Sequence, residues 1–299
     1  KHKFNSTREK IIEQAIWATK YAKSFVEDVE FFAEDAGRAD LIFLAQITEA
    51  VIDAGATVVN LPDTTGYLLP DQTAHRVKYL FENVPNIHKA IISMHNHNDL
   101  GLATANTIAG IVAGARQVEV TINGIGERAG NTSLEEIAMI INVHKDLNFH
   151  TDINLTRLYP FSTFVSNLMG MPVQANKAIV GANAFAHSSG IHQDGFLKHA
   201  QNYEIMKPED VGVPSSAIIL TSRSGRAALR HRLQLLGFDF LKPDFQLGIF
   251  LSVLATITWA FGTLYTKKKA ASYNPYFSLG FQMFISSILL FAYNGATGI

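Results

Sequence analysis

The feature that most constrains this chain is a unit repeated through its first half: a short apolar run, a polar turn, then an amphipathic helix. The apolar runs fall at 25–32, 56–61, 90–94 and 117–122, and the helical patterns between them at 39–54, 70–83 and 100–115. Strands that alternate with helices predict a parallel sheet, because parallel neighbours need a crossover connection. A further helix precedes the first run, opened by the capping pair Ser6 and Glu9, and Thr132 with Glu135 repeats that device before a helix at 137–144. Polar residues cluster just after each strand: Glu34-Asp35, Pro62-Asp63-Thr64, His95 to Asp99, and Asn123 to Arg128. In a (β/α)8 barrel the strand C-termini face the active site. Four strands do not close such a barrel, so the pattern alone admits either a truncated barrel or an open sheet.

Composition narrows the chemistry. The 299 residues contain no cysteine, which excludes disulfides and thiolate metal sites and leaves His, Asp, Glu and Asn as metal ligands. The formal net charge of -1 gives no electrostatic case for nucleic acid. The opening residues are polar and lack the apolar core of a signal peptide. His95 and His97 are the sharpest signal, because side chains at i and i+2 of a strand point the same way. Two imidazoles at a strand end can share one metal, and neutral imidazole suits Zn, Mn or Fe. Spacing alone equally admits two hydrogen-bonded histidines beside a turn. In Asn123-Gly124-Ile125-Gly126-Glu127-Arg128-Ala129-Gly130-Asn131, three glycines permit a tight path near a ligand. Glu127 could orient a water or a reacting group, and Asn131 offers a neutral oxygen. The plainer reading is a glycine-rich connection in which Glu127 and Arg128 pair.

Taken together, four blocks resemble the 2-isopropylmalate synthase family, within the wider group that includes homocitrate and citramalate synthases. They are Glu30-Phe31-Phe32-Ala33-Glu34-Asp35-Ala36-Gly37-Arg38, Asn60-Leu61-Pro62-Asp63-Thr64-Thr65-Gly66-Tyr67, His95-Asn96-His97-Asn98-Asp99-Leu100-Gly101, and Asn123 to Asn131. The resemblance continues through His187-Ser188-Ser189-Gly190-Ile191-His192-Gln193-Asp194-Gly195, Tyr203 to Pro208 and Ser224-Gly225-Arg226, and spans about 1–240. It implies the second half of a TIM barrel over 1–147, then an α-helical subdomain over 148–240. It further implies that His95, His97 and Asn131 are metal ligands and that Glu34, Pro62 and Thr64 line a 2-oxo acid pocket. Glu127 matches an acidic residue near the reacting centre, and His192 and Tyr203 match residues that a neighbouring subunit supplies, which implies a homodimer. The implied cofactor is a divalent metal, manganese first and zinc or magnesium next. Acetyl-CoA and 2-oxoisovalerate are the implied substrates, the product is 2-isopropylmalate on the way to leucine, and the compartment is the cytoplasm.

The resemblance also marks departures. The family's first barrel strands, with an Arg-Asp pair and a His, have no counterpart, nor does its leucine-sensing C-terminal domain. Without that Asp, three protein ligands remain, and the expectation is a poorly folding chain of little activity. Asn96 stands where the family often has Cys or Thr, and Phe32 where a small polar residue is common. Asn96 is expected to point away from the site, whereas Phe32 would narrow the pocket.

The last part of the chain differs in kind. From Leu247 to Tyr265 there is no charged residue, Lys267, Lys268 and Lys269 follow, and no charge occurs after them. Two such stretches, 247–265 and 276–293, are long enough to span a bilayer and predict a membrane hairpin over 241–299, with aromatics at Trp259, Tyr265, Tyr276 and Tyr293. The block Trp259 to Lys267 resembles the start of an EamA-type drug/metabolite transporter repeat, which makes a membrane-transporter fragment the competing reading. Lysines in the short loop predict that it faces the cytoplasm, so both outer ends of the hairpin lie opposite. That topology would carry the synthase-like part away from acetyl-CoA, and the expectation is a join of two unrelated coding fragments near 240–246.

Overall fold

A computed structural model describes residues 6–238 and 243–269, with isolated positions at 280, 283–284 and 287–288. The chain divides into two compact units, 1–225 and 226–299.

The first unit opens with α1 (Arg8–Lys23), β1 (Glu30–Phe32), α2 (Leu41–Asp53), β2 (Val58–Asp63), α3 (Pro70–Asn83), β3 (Ile91–Asn96), α4 (Ala103–Ala113) and β4 (Gln117–Glu119). The four strands form one sheet in the order β1-β2-β3-β4, every pair parallel, with β1 and β4 at its edges. This is a partial (β/α)8 barrel, as expected. The first strand is shorter than its apolar run, because 25–29 carries the chain out of α1 before pairing begins at Glu30. Helix α1 is capped by Thr7, which accepts from the Lys10 N–H, and not by Ser6. Glu9 still lies in the first turn and Lys20 and Lys23 in the last, matching the helix dipole.

The sheet's two faces are chemically opposite, as alternation on a strand requires. Val59, Leu61, Ile92 and Met94 point toward the helices and join Leu44, Ile47 and Val51 of α2 and Val77 and Leu80 of α3 in one buried cluster. Each such side chain stabilises the fold by about 1.5–3 kcal/mol when fully buried. The other face carries Glu30, Phe32, Asn60, Pro62, Ser93, His95, Gln117 and Glu119, set in rows by the register Phe32↔Asn60, Asn60↔Ser93, Ser93↔Gln117 and Pro62↔His95↔Glu119. Asn60 donates to Glu30 Oε1 (3.1 Å) and Ser93 Oγ (3.0 Å), and Gln117 donates to the same Glu30 oxygen (3.1 Å).

After β4 come α5 (Leu134–Val143), α6 (Leu158–Met169), β5 (Ala186–His187), α7 (Gly190–Lys198) and β6 (Ala217–Ile218). Ser133, not Thr132, is the N-cap of α5. Glu135 does not close a capping box; its carboxylate accepts from Ser133 Oγ and from the Asn123 N–H at 2.9 and 3.1 Å, so it anchors the glycine-rich loop. A second buried cluster joins Ala138 and Met139 of α5 to Leu158, Val180, Phe185 and Val211. The region expected to be helical also contains a short parallel pair, β5 with β6. Buried Gln193 staples it by donating to the His187 and Ile219 carbonyls, both at 2.9 Å.

The second unit contains α8 (Arg226–Leu235) and α9 (Pro243–Lys269). Within α9, Gln246–Tyr265 is long and apolar enough to cross a membrane, with mean hydropathy 1.8 and no part of it buried. Lys267, Lys268 and Lys269, expected in a loop, continue the helix as its last turn. Lysine is a good helix former and a cation suits a helix C-terminus. The second expected membrane helix, 276–293, lies outside the described residues apart from the isolated positions, as do Tyr276, Tyr293 and the Phe240 boundary.

Candidate functional site

The site is built where β1, β2 and β3 end on the polar face. A cleft of about 360 Å³ is lined by Phe32, Glu34, Pro62, Thr64, His95 and His97. It thus gathers the two histidines with all three residues expected to line a substrate pocket. Phe32 also lies in its wall and is 48% exposed, so it narrows the cleft without plugging it. Asn96 points the other way: it is fully buried and donates to Thr107 Oγ1 of α4 at 2.8 Å.

The imidazoles converge, with the Nε2 atoms of His95 and His97 3.3 Å apart. His95 Nδ1 lies 2.7 Å from Glu119 Oε2 on the adjacent strand. Burial is the largest cause that holds the His97 pKa below its usual value, followed by the neighbouring His95 and Arg128. Burial likewise raises the Glu119 carboxyl; the His95 hydrogen bond opposes this and the charge of Glu30 adds to it.

Asn131 is brought to the pair by backbone. Residues His97 and Asn131 form an isolated antiparallel bridge, and the Asn98 N–H donates to the Gly130 carbonyl at 2.9 Å. The loop has to be glycine-rich at two places. A Cβ on Gly126 would lie 2.3 Å from Asn131 Nδ2, and Gly130 has φ +89 with its carbonyl neighbour Gly124 O only 2.0 Å from where a Cβ would be. Arg128, itself at φ 55, ties its loop to the segments that follow two strands, β2 and β3. Its guanidinium donates to Asp99 at 2.8 and 3.0 Å, to the Thr64 carbonyl at 2.7 Å and to Glu127 at 3.2 Å. The hydrogen bonds from Arg128 hold the Asp99 carboxyl below the usual range. Glu127 is paired with Arg128, as the plainer reading of the loop had it, yet its side chain stays 77% exposed.

His192 and Tyr203 come together elsewhere in the unit, with ring centroids 4.4 Å apart at 33°. Neither lines the cleft that holds His95 and His97. Sequence reasoning missed Glu119, Glu30 and the Arg128–Asp99 clasp. The alternation in Gln117-Val118-Glu119 puts Glu119 on the His95 face, but only strand register brings the two side chains together.

Two tests bear on whether this set suits a metal. Among the described residues no group of three or more His, Asp or Glu side chains forms a metal cage. What the set does contain is two facing imidazole nitrogens and, on the residue bridged to His97 through the backbone, an amide oxygen, Asn131 Oδ1, buried with no hydrogen-bond partner within the chain. Asn131 lines the neighbouring pocket with Asn98, Gly126 and Lys177 and not the cleft of the two histidines. Two imidazole nitrogens and an orphaned amide oxygen are ligand types that suit a cation.

The HMGL-like family model matches residues 1–165, more than half of the chain. The chain belongs to the HMGL-like family. A second model, the homocitrate synthase post-HMGL domain-like family, matches residues 179–248. The HMGL-like chain is 67% identical over 239 residues to a 2-isopropylmalate synthase of Parabacteroides distasonis, covering 80% of this chain and 48% of that protein. It is 57% identical over 245 residues to that of Olsenella uli, covering 82% and 48%, and 56% identical over 237 residues to that of an Escherichia coli strain, covering 79% and 45%. The chain therefore spans about half the length of the curated relatives it matches. A solved hydroxymethylglutaryl-CoA lyase from Pseudomonas aeruginosa is 18% identical, with TM-score 0.49 over 57% of this chain and 59% of that one. The matched HMGL-like and post-HMGL segments stop at residue 248, and the tail's resemblance to a transporter repeat finds no support among them.

Proposed function

We propose that this chain carries half of an acyltransferase of the 2-isopropylmalate synthase type, one that condenses acetyl-CoA with 2-oxoisovalerate to give 2-isopropylmalate and CoA. The observation that carries the reading is one strand-end cleft in which His95 and His97 converge beside Glu34, Pro62 and Thr64. The 2-isopropylmalate synthase names of relatives 56–67% identical add to it.

His95, His97 and Asn131 would hold a divalent cation, manganese first and zinc or magnesium next. When bound, that ion supplies Lewis acidity to the keto oxygen of a 2-oxo acid. Glu34, Pro62 and Thr64 give the acid a wall with polar and apolar parts, and the Thr64 hydroxyl is already oriented by the Asp35 N–H at 3.0 Å. Exposed Glu127 stands available to a water or a substrate group. An imidazole suits removal of a methyl proton near neutral pH. In the reading, His192, flanked by Tyr203, does this for acetyl-CoA in the site of a second subunit, which makes a homodimer the working form. The methyl carbon then bonds to the keto carbon, the keto oxygen is protonated, and water cleaves the thioester to release CoA. This chemistry belongs in the cytoplasm, where acetyl-CoA is at hand. The proposed organisation stays a half barrel over 1–147 and a helical subdomain over 148–240, followed by the apolar tail.

Titration of the full chain with Mn²⁺ by calorimetry tests the reading, with His95→Ala and His97→Ala as controls. Micromolar binding that both substitutions abolish is the expected result. A chain that binds no Mn²⁺, Zn²⁺ or Mg²⁺ has kept the family's fold without its chemistry.

A further inference from the structure

We infer that Glu119 is a positioning residue: it fixes the His95 ring in the tautomer that turns a bare Nε2 toward His97, where the two imidazoles would hold a divalent cation. The inference deepens the reading above and rests on it. Its starting point is register. His95 and Glu119 are directly paired on adjacent parallel strands, and both point to the polar face. Neighbouring strands lie about 4.8 Å apart, so an imidazole and a carboxylate on one row meet side by side.

The contact they make is 2.7 Å, between His95 Nδ1 and Glu119 Oε2. That is the length of a charge-assisted hydrogen bond. A neutral imidazole has one N–H and one lone pair, and an ionised carboxylate only accepts. The proton of His95 therefore sits on Nδ1 and the lone pair on Nε2. That Nε2 is the atom 3.3 Å from the Nε2 of His97. Carboxylate, ring and metal-facing nitrogen thus lie in sequence, and outer partners of this kind set ligand orientation and basicity.

Glu119 also faces a like charge. The opposite edge strand brings Glu30, fixed by Asn60 and Gln117 at 3.1 Å each, onto the same polar face, where its charge acts on Glu119. Neither carboxylate lines the cleft wall that a substrate would touch. This separates Glu119 from the groups that meet the reactants: it acts through His95.

The experiment uses the full chain with ¹⁵N-labelled histidine. Long-range ¹H–¹⁵N spectra read the His95 tautomer without metal, and calorimetry reads Mn²⁺ binding, for the unaltered chain, Glu119→Ala and Glu119→Asp. The expected result is an Nδ1–H tautomer in the unaltered chain that Glu119→Ala, which removes the acceptor, loses, together with about 10- to 100-fold weaker Mn²⁺ binding. Glu119→Asp, which keeps the carboxylate, should restore part of both. An Nε2–H tautomer in the unaltered chain overturns the inference with no variant needed. So does a Glu119→Ala chain that keeps both the tautomer and the affinity. If the unaltered chain shows the Nδ1–H tautomer but binds no Mn²⁺, the metal reading fails while the tautomer role of Glu119 stands.

Discussion

The two faces of one four-stranded sheet follow different rules. Toward the helices, Val59, Leu61, Ile92 and Met94 are almost wholly buried and make no polar contact through their side chains. On the other face the same strands present Glu30, Asn60, Ser93, Gln117, His95 and Glu119, linked to one another by hydrogen bonds. The first face supplies the free energy that keeps the strands together. The second uses that rigidity to set donors and acceptors within 3 Å or so of each other. A functional face of this kind tolerates polar burial because most of its groups are paired, although Asn60 Oδ1 is buried without a hydrogen-bond partner.

The widest contrast comes from cutting the apolar face. Ile92→Ala deletes a side chain that is 2% exposed and packs in the main cluster. The expected loss is about 2–5 kcal/mol in urea unfolding followed by circular dichroism. A loss under about 1 kcal/mol would mean that the helices do not pack on this sheet in solution. Next comes the polar face itself. Asn60→Ala removes the donor shared by Glu30 and Ser93 and leaves both facing a buried gap, which costs about 1–3 kcal/mol. If Asn60→Leu proves as stable as the unaltered chain, the polar row serves the site and not the fold.

Protonation gives a smaller, signed effect. Burial lowers the folded-state pKa of His97 from its usual 6.5. Below pH 6.5 the unfolded chain then binds a proton that the folded chain resists. Stability is therefore fully present above the unfolded value and is lost as the pH falls through it toward the folded one. His97→Gln should flatten the slope of unfolding free energy below about pH 6.5. An unchanged slope would place the titration on another group.

Much of this was legible before any coordinates. Helix 70–83 falls where the periodicity sets it, because Pro70 and the following turn mark its start unambiguously. The spacing of His95 and His97 predicted that their side chains point the same way, and the two Nε2 atoms do face each other, while the glycine-rich loop bridges Asn131 to His97 through the backbone. Other features were hidden for a common reason. The partner of His95 is 24 residues away, and Arg128 reaches the Thr64 carbonyl across 64. Such pairs depend on strand register and loop height, which local patterns do not encode. The caps slipped by one residue for the opposite reason: Ser6-Thr7 and Thr132-Ser133 each offer two adjacent hydroxyls, and only backbone geometry selects between them.

The smallest expected effect tests whether the polar face is open in solution. Phe31 and Phe32 are neighbours on β1 and point to opposite faces. Phe31 packs against the main cluster, whereas Phe32 is 48% exposed at the cleft. Phe32→Ala should therefore shift the unfolding free energy by no more than about 0.5 kcal/mol, as for a surface position. Sheet edges at β1 and β4 invite pairing with another chain, which would cover Phe32. If Phe32→Ala destabilises the chain by about as much as Ile92→Ala, and the loss grows with protein concentration, a second copy lies over this face. If it does neither, the cleft is open to small molecules, and the contrast between the two faces holds for the chain by itself.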